Sequence, residues 1–282
     1  KLSLRPRSAE ELVVPVNDPC HLCEEERREL VACCRRANNA IYVSRASLPA
    51  DKTIPRRVGE QLGLRRLDGN LCADDDGITS LRVMSSGSRH EGYIPYSNRA
   101  INWHTDGYYN GPDQPIRAML LHCVSDAASG GDNALLDHEL AYALLRDESP
   151  ELVAALMRPD AMTIPANIQD GEEIRPARRG PVFSVDSGTG ALHMRYTART
   201  RSIEWRDDPL TRAAVEFLAH LLEDGSEYVL RYRLQPGQGL VSNNTLHTRA
   251  AFQDDPSAGK SRLLYRARYY DRIAGTEQHD IE

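Results

Sequence analysis

Across residues 78–270 short apolar runs alternate with turns that carry Gly, Pro, Asn or Asp, and that rhythm admits few architectures. The stretches 81–84, 100–103, 116–124, 192–196, 228–234, 239–242 and 263–270 each have a strand's length and apolar content. Strands this short are stable only when paired side by side over a buried face, so they predict a β-sandwich or barrel core. The turn Ser129-Gly130-Gly131-Asp132-Asn133 leads into the apolar Ala134-Leu135-Leu136. Helical spacing appears at 23–37, 55–64, 137–145 and 150–157, and most strongly at 210–222. Residues 1–19 read as an irregular lead-in around Pro15, and 41–43 as the first buried strand. The stretch 68–77, with Asp74-Asp75-Asp76, reads as a loop. Residues 158–190 are rich in Pro, Gly and charge and read as a lid or insertion. No interior linker is long or polar enough to divide the chain, so residues 1–282 are read as one mainly-β domain with flanking helices.

Composition narrows the function classes. A formal net charge of -6 and a pI near 5.9 argue against nucleic acid as a partner, because phosphate backbones are bound by basic faces. No run of about 18 apolar residues is present, so neither a membrane span nor a membrane partner is expected. The N-terminus lacks a signal-peptide pattern, and a cytoplasmic setting is expected. Cys20, Cys23, Cys33, Cys34, Cys72 and Cys123 do not form a secreted disulfide framework. Cys20-His21-Leu22-Cys23 has zinc-knuckle spacing, with Cys33 and Cys34 nearby. The helical reading of 23–36 competes with zinc there and makes ordinary thiols the expectation. A homo-oligomer, with a dimer as default, is expected on general grounds.

The most informative local text is Asn102-Trp103-His104-Thr105-Asp106-Gly107-Tyr108. On a strand, His-x-Asp sends imidazole and carboxylate to one face, two thirds of a two-histidine, one-carboxylate metal set. Far downstream, Leu246-His247-Thr248-Arg249 follows a Pro-Gly turn and an apolar strand, and offers the second histidine. Arg262 and Arg266 lie on or beside the next apolar strand. A planar guanidinium suits the far carboxylate of a dicarboxylate ligand, which it can pair bidentately.

Trp103-His104-Thr105-Asp106, the Gly130-Gly131-Asp132-Asn133 turn, Leu246-His247-x-Arg249 and the Arg262/Arg266 pair occur in that order over most of the chain. Together they resemble the TauD/TfdA-like family of Fe(II)/2-oxoglutarate oxygenases. The resemblance implies a double-stranded β-helix (jelly-roll, cupin-like) core and an Fe(II) centre on His104, Asp106 and His247. It also implies 2-oxoglutarate as cosubstrate, O2 as oxidant, and succinate and CO2 as products. Arg262 is favoured for the distal carboxylate, with Arg266 competing for that role or for an anionic substrate. The family often has Thr or Ser where this chain has Asn133, whose amide can still donate to the cosubstrate.

Substrate contacts are read more broadly. Tyr108, Tyr109 and Asn110 follow the metal motif and are candidates for the pocket rim. Arg195 and Arg201, beside Tyr196, are candidates for meeting an acidic group, and Arg249 either touches substrate or braces its strand end. His122 reads as a core histidine, whereas His138 and His193 are ligands only by residue type. The expected reaction is oxidation of a C–H bond in a small anionic or zwitterionic metabolite. The alternative is a metal-dependent β-barrel hydrolase or lyase using the same three residues, which has no use for the Arg262 clamp.

Overall fold

A computed structural model describes residues 1–69, 76–84, 93–169, 171–199 and 203–277. Cys72, Asp74, Asp75 and Arg201 lie outside the described residues.

Six strands form the larger sheet, in the order β1 (Val13–Val16), β2 (Asn39–Ser44), β16 (Gln238–Ser242), β5 (Ala118–Ser125), β19 (Leu263–Tyr269) and β3 (Thr79–Leu81). Only the β1–β2 pair is parallel. Four antiparallel strands form the second sheet: β15 (Leu230–Tyr232), β7 (Asn133–Leu136), β17 (Leu246–Arg249) and β4 (Ile101–His104). Period-two alternation explains how the sheets meet. On β5, Met119, Leu121 and Cys123 join Leu240, Leu264 and, from the second sheet, Leu135 and Leu230 in one buried cluster. The alternate residues Ala118 and Leu120 face a different core, completed by Leu30 and Cys34 of α1 (Glu24–Ala37) and Val58 of α2 (Ile54–Gln61). Each such Leu contributes about 1.5–3 kcal/mol by leaving water.

A third core joins α3 (His138–Glu148), α4 (Pro150–Leu156) and α5 (Pro209–Leu221) to Leu136 and Leu246 of the second sheet. The helix starts obey capping chemistry: Asp137 and Ser149 accept from the Glu139 and Glu151 amides, and Asp208 from that of Thr211. Against this core lie β8 (Met162–Ile164), flanked by β11 (Arg178–Gly180) and β14 (Glu204–Trp205), and the hairpin of β12 (Phe183–Val185) with β13 (Leu192–Met194). Two further pairs are β9 (Asn167–Gln169) with β10 (Glu172–Arg175), and β6 (Ser129–Gly130) with β18 (Phe252–Gln253).

Two sequence expectations are corrected. The lead-in is not irregular throughout, because Val14 and Val16 are buried and β1 adds an edge strand. Its Pro15 is tolerated at a sheet edge, where a missing N–H costs no ladder bond. The strand expected at 81–84 lies at Thr79–Leu81, since the ladder to β19 engages those residues and leaves Val83 exposed. Residues 158–190, read as a lid or insertion, contain the short strands β8 to β12 among the described residues. Among the described residues no helix is long and apolar enough to cross a membrane.

Candidate metal centre

Antiparallel register places His104 of β4 directly opposite His247 of β17. Their rings tilt together at 4.2 Å between centroids. Strand β4 ends at His104, so Asp106 sits in the following turn rather than on the strand, as strict alternation had implied. Its position is secured from two sides. The Thr105 amide donates to the Tyr196 carbonyl at 2.9 Å, and the Tyr196 amide donates back to Thr105 Oγ1 at 3.1 Å. From the other side, Asn244 accepts the Asp106 amide at 2.8 Å and donates to the carbonyls of Asp106 and Ile116 at 2.9 and 2.6 Å. Asn244 has φ of 54°, a left-handed conformation that Asn tolerates better than most residues. Gly107, at φ of 67°, completes the turn; a Cβ there would come 2.3 Å from Ile116 Cγ1.

His104 Nδ1 donates to the Asn102 carbonyl at 2.8 Å and His247 Nδ1 to the Thr245 carbonyl at 2.9 Å. A carbonyl can only accept, so each Nδ1 carries its proton and each Nε2 keeps its lone pair. Those Nε2 atoms lie 3.7 and 4.0 Å from Asp106 Oδ1. Burial, then the neighbouring His247, pushes His104 down to about 3, and burial likewise lowers His247. Burial alone would raise the Asp106 carboxyl, but the Arg266 and Arg268 guanidiniums hold it well below the usual carboxylate range. Two neutral imidazoles and one carboxylate is the protonation state a divalent metal needs.

The donor set also fits such an ion by geometry. One ligand atom from each of His104, Asp106 and His247 falls within 4.8 Å of the others, the only group of its kind among the described residues. Asp106 Oδ2 is buried and has no hydrogen-bond partner. An orphaned carboxylate oxygen is costly unless a cation faces it. Nitrogen and oxygen donors in this two-to-one ratio suit a non-haem iron-type site. Cys20, Cys23, Cys33 and Cys34 form no such group: Cys23 begins α1, and Cys34 is buried, its thiol pushed up by desolvation.

The arginines divide sharply. Arg266 Nη1 lies 3.3 Å from Asp106 Oδ1 and is committed to that carboxylate. Arg262 is buried, and its Nη1 has no hydrogen-bond partner. It lies over the Phe252 ring and lines a small pocket with Asn133, Gly131, Leu264, Arg233 and Asp126. Asn133 Nδ2 donates to the Thr248 carbonyl at 3.1 Å. Arg249 braces the 94–99 segment, donating to the carbonyls of Pro95 and Ser97 at 3.2 and 2.7 Å. Arg195 is likewise spent on main-chain carbonyls, among them Met162 at 2.7 Å. Asn110 closes its own turn onto the Gln114 carbonyl at 3.0 Å.

Tyr108 and Tyr109 pack edge to face at the rim of the helical core. The Tyr109 hydroxyl accepts from Arg268 at 2.9 Å, and Arg268 is itself paired with Asp68. His122 is buried against Tyr42, with Nδ1 2.8 Å from its hydroxyl. His138 Nε2 donates to the Leu192 carbonyl at 3.1 Å, and His193 sits on β13 opposite Ser184, so neither joins the triad. Asn244 and Arg268 were missed in the sequence. Only the Asn pair just before His247 hinted at the first, through the tolerance of Asn for left-handed backbone.

A mainly-β chain whose facing strands, with the turn leaving β4, bring two histidines and a carboxylate together has the donor set of a metal-dependent protein. The profile of the family described as "Taurine catabolism dioxygenase TauD, TfdA family" matches residues 3–268. The chain belongs to that family. It is 32% identical over 206 residues to a Streptomyces uridine-5'-phosphate dioxygenase, covering 69% of each chain. Among solved structures it resembles AAD-2 in complex with Mn(II) and N-oxalylglycine, with a TM-score of 0.65, 14% identity and coverage of 96% and 99%. It also resembles an asparagine oxygenase in complex with Fe(II), 2S,3S-3-hydroxyasparagine and succinate, with a TM-score of 0.61, 17% identity and coverage of 88% and 80%.

Proposed function

We infer that this chain is an Fe(II)- and 2-oxoglutarate-dependent dioxygenase in which His104, Asp106 and His247 hold the iron. The observation that carries this reading is the orphaned Asp106 Oδ2 beside two bare imidazole nitrogens. Membership of a dioxygenase family and the inward arginines favour it over a hydrolase or lyase. The larger and smaller sheets are then the two walls of a double-stranded β-helix, residues 1–282 one domain, and 158–190 a lid.

The bound iron and cosubstrate supply the oxidising chemistry, in which O2 is consumed, 2-oxoglutarate becomes succinate and CO2, and a substrate C–H bond is oxidised. The chain's own residues hold, orient and shield. The Asn102 and Thr245 carbonyls fix the histidine tautomers, and Asn244 fixes the carboxylate's backbone. Arg266 keeps Asp106 ionised. Arg262, free of any carboxylate at its Nη1, is the anchor for the distal carboxylate of 2-oxoglutarate, with Asn133 in the same pocket. Tyr108 and Tyr109 limit water at the rim.

Similarity to a uridine-5'-phosphate dioxygenase points to a small phosphate-bearing substrate. The test is turnover with Fe(II), 2-oxoglutarate and uridine 5'-phosphate or related nucleotides, following O2 uptake and succinate together. Succinate that rises with one of these compounds supports the reading. Uptake of no O2 with any of them, alongside metal-dependent hydrolysis, favours the hydrolase alternative.

A further inference from the structure

Outside the metal centre, two arginines of the 158–190 segment, Arg175 and Arg178, form no ion pair with a carboxylate among the described residues. Register decides which way they face. Arg178 of β11 pairs with Ile164 of β8, and Gly180 pairs with Met162. Cross-strand partners in an antiparallel pair share a face. Ile164 and Met162 are buried in the helical core whose rim includes Tyr108 and Tyr109, so Arg178 stands on that inner face. Its neighbour Arg179 faces outward and pairs with Asp160.

Arg178 is half-buried, and its Nε is fully buried without a hydrogen-bond partner. Among the described residues no carboxylate forms an ion pair with it. Its guanidinium carbon lies 3.7 Å from where a Cβ on Gly111 would stand, directly over the turn that follows the metal motif. Asp113 flanks the same glycine without pairing to Arg178. Arg175, at the end of β10, donates to the carbonyls of Pro165 and Pro176 at 2.7 and 2.9 Å and likewise has no acid partner among the described residues. Burial lowers its pKa, Tyr108 opposes that, and Arg178 adds to it. A partly desolvated guanidinium that lacks an acid partner is costly unless an anion meets it. The fork of such a guanidinium matches the multi-oxygen edge of a phosphate.

We propose that Arg178 is the specificity-determining residue that receives the anionic group of the substrate, a phosphate monoester. The assignment rests on the oxygenase reading above and names which part of the chain selects the substrate. Arg262 and Arg266 are left to the cosubstrate and to Asp106.

The experiment uses the protein loaded anaerobically with Fe(II) and 2-oxoglutarate and titrated calorimetrically with uridine 5'-phosphate, uridine and inorganic phosphate. Parent, R178Q, R178K and the outward control R179Q are compared, with melting temperatures taken alongside. R178Q is expected to weaken uridine 5'-phosphate binding about 10- to 100-fold, the usual range for losing a charged hydrogen-bond partner. R178K should recover part of that loss, and R179Q should match the parent. Uridine binding should be unchanged throughout. Undiminished uridine 5'-phosphate binding by both R178Q and R178K overturns the assignment while leaving the oxygenase reading intact. A parent that shows the iron–2-oxoglutarate absorption yet binds neither uridine 5'-phosphate nor inorganic phosphate also overturns it. Absence of that absorption from the parent means that the oxygenase reading has failed, and the inference falls with it.

Discussion

At the scale of single residues the chemistry turns on how Asp106 is held. It lies beyond the end of β4, so its aim depends on Asn244 rather than on sheet geometry. Asn244→Ala is therefore expected to weaken iron binding by about 10-fold or more, as loss of groups that orient ligands generally does. Asn244→Gly relieves the positive φ and should show a similar loss, which isolates the side-chain hydrogen bonds from backbone strain. Chelator competition measures both, and parent-like affinity in either variant would contradict this role. The arginines make a second prediction. Arg262→Gln should raise the dissociation constant of 2-oxoglutarate about 10- to 100-fold, and Arg266→Gln should raise it less. The reverse ranking would move the cosubstrate anchor to Arg266.

At the scale of elements, the centre is made by one register: β17 between β7 and β4, with His247 opposite His104. The turn leaving β4 must be tight, because Gly107 packs on Ile116. Gly107→Ala combines a disfavoured left-handed residue with that overlap, so a loss of about 2 kcal/mol or more is expected. Denaturant unfolding checks it, and an unchanged midpoint would show that the turn relaxes freely. The strands and amphipathic helices were largely legible from period and turn chemistry, and the grouping of His104, Asp106 and His247 from their spaced motifs and the family resemblance. Other features were not. Nothing in the local text marks Val13–Val16 as an edge strand, since its reason is burial of Val14 and Val16 beside β2. Arg195 and Arg249 look like free cations in sequence, and only the fold shows them spent on carbonyls. Arg178 looked like one charge among many in 158–190 until pairing with Ile164 turned it inward.

At the scale of the whole molecule, charged residues tie distant segments together. Glu139 at the start of α3 meets Lys1 and Arg272, each at 3.0 Å. Burial alone would raise its carboxyl, but Lys1, then His138 and Arg272, pull it from 4.5 down to about 2. A depressed folded-state value means that the unfolded chain binds the proton more readily. The stabilisation is therefore complete above about 4.5 and is lost as pH falls through about 2. Thermal melts should show Glu139→Gln less stable than the parent near neutrality, with the gap closing across that window. Parallel melting curves down to pH 2 would remove Glu139 from the account of acid stability.

The central claim is an iron site assembled from His104, Asp106 and His247 and completed by a chelating 2-oxo acid. Anaerobic titration of the metal-free protein with Fe(II) and then 2-oxoglutarate tests it most directly. A visible charge-transfer band that saturates at one iron and one 2-oxoglutarate per chain, and is absent in His104→Ala and Asp106→Ala, is the expected result. No band in the parent, or an undiminished band in those variants, would contradict the account.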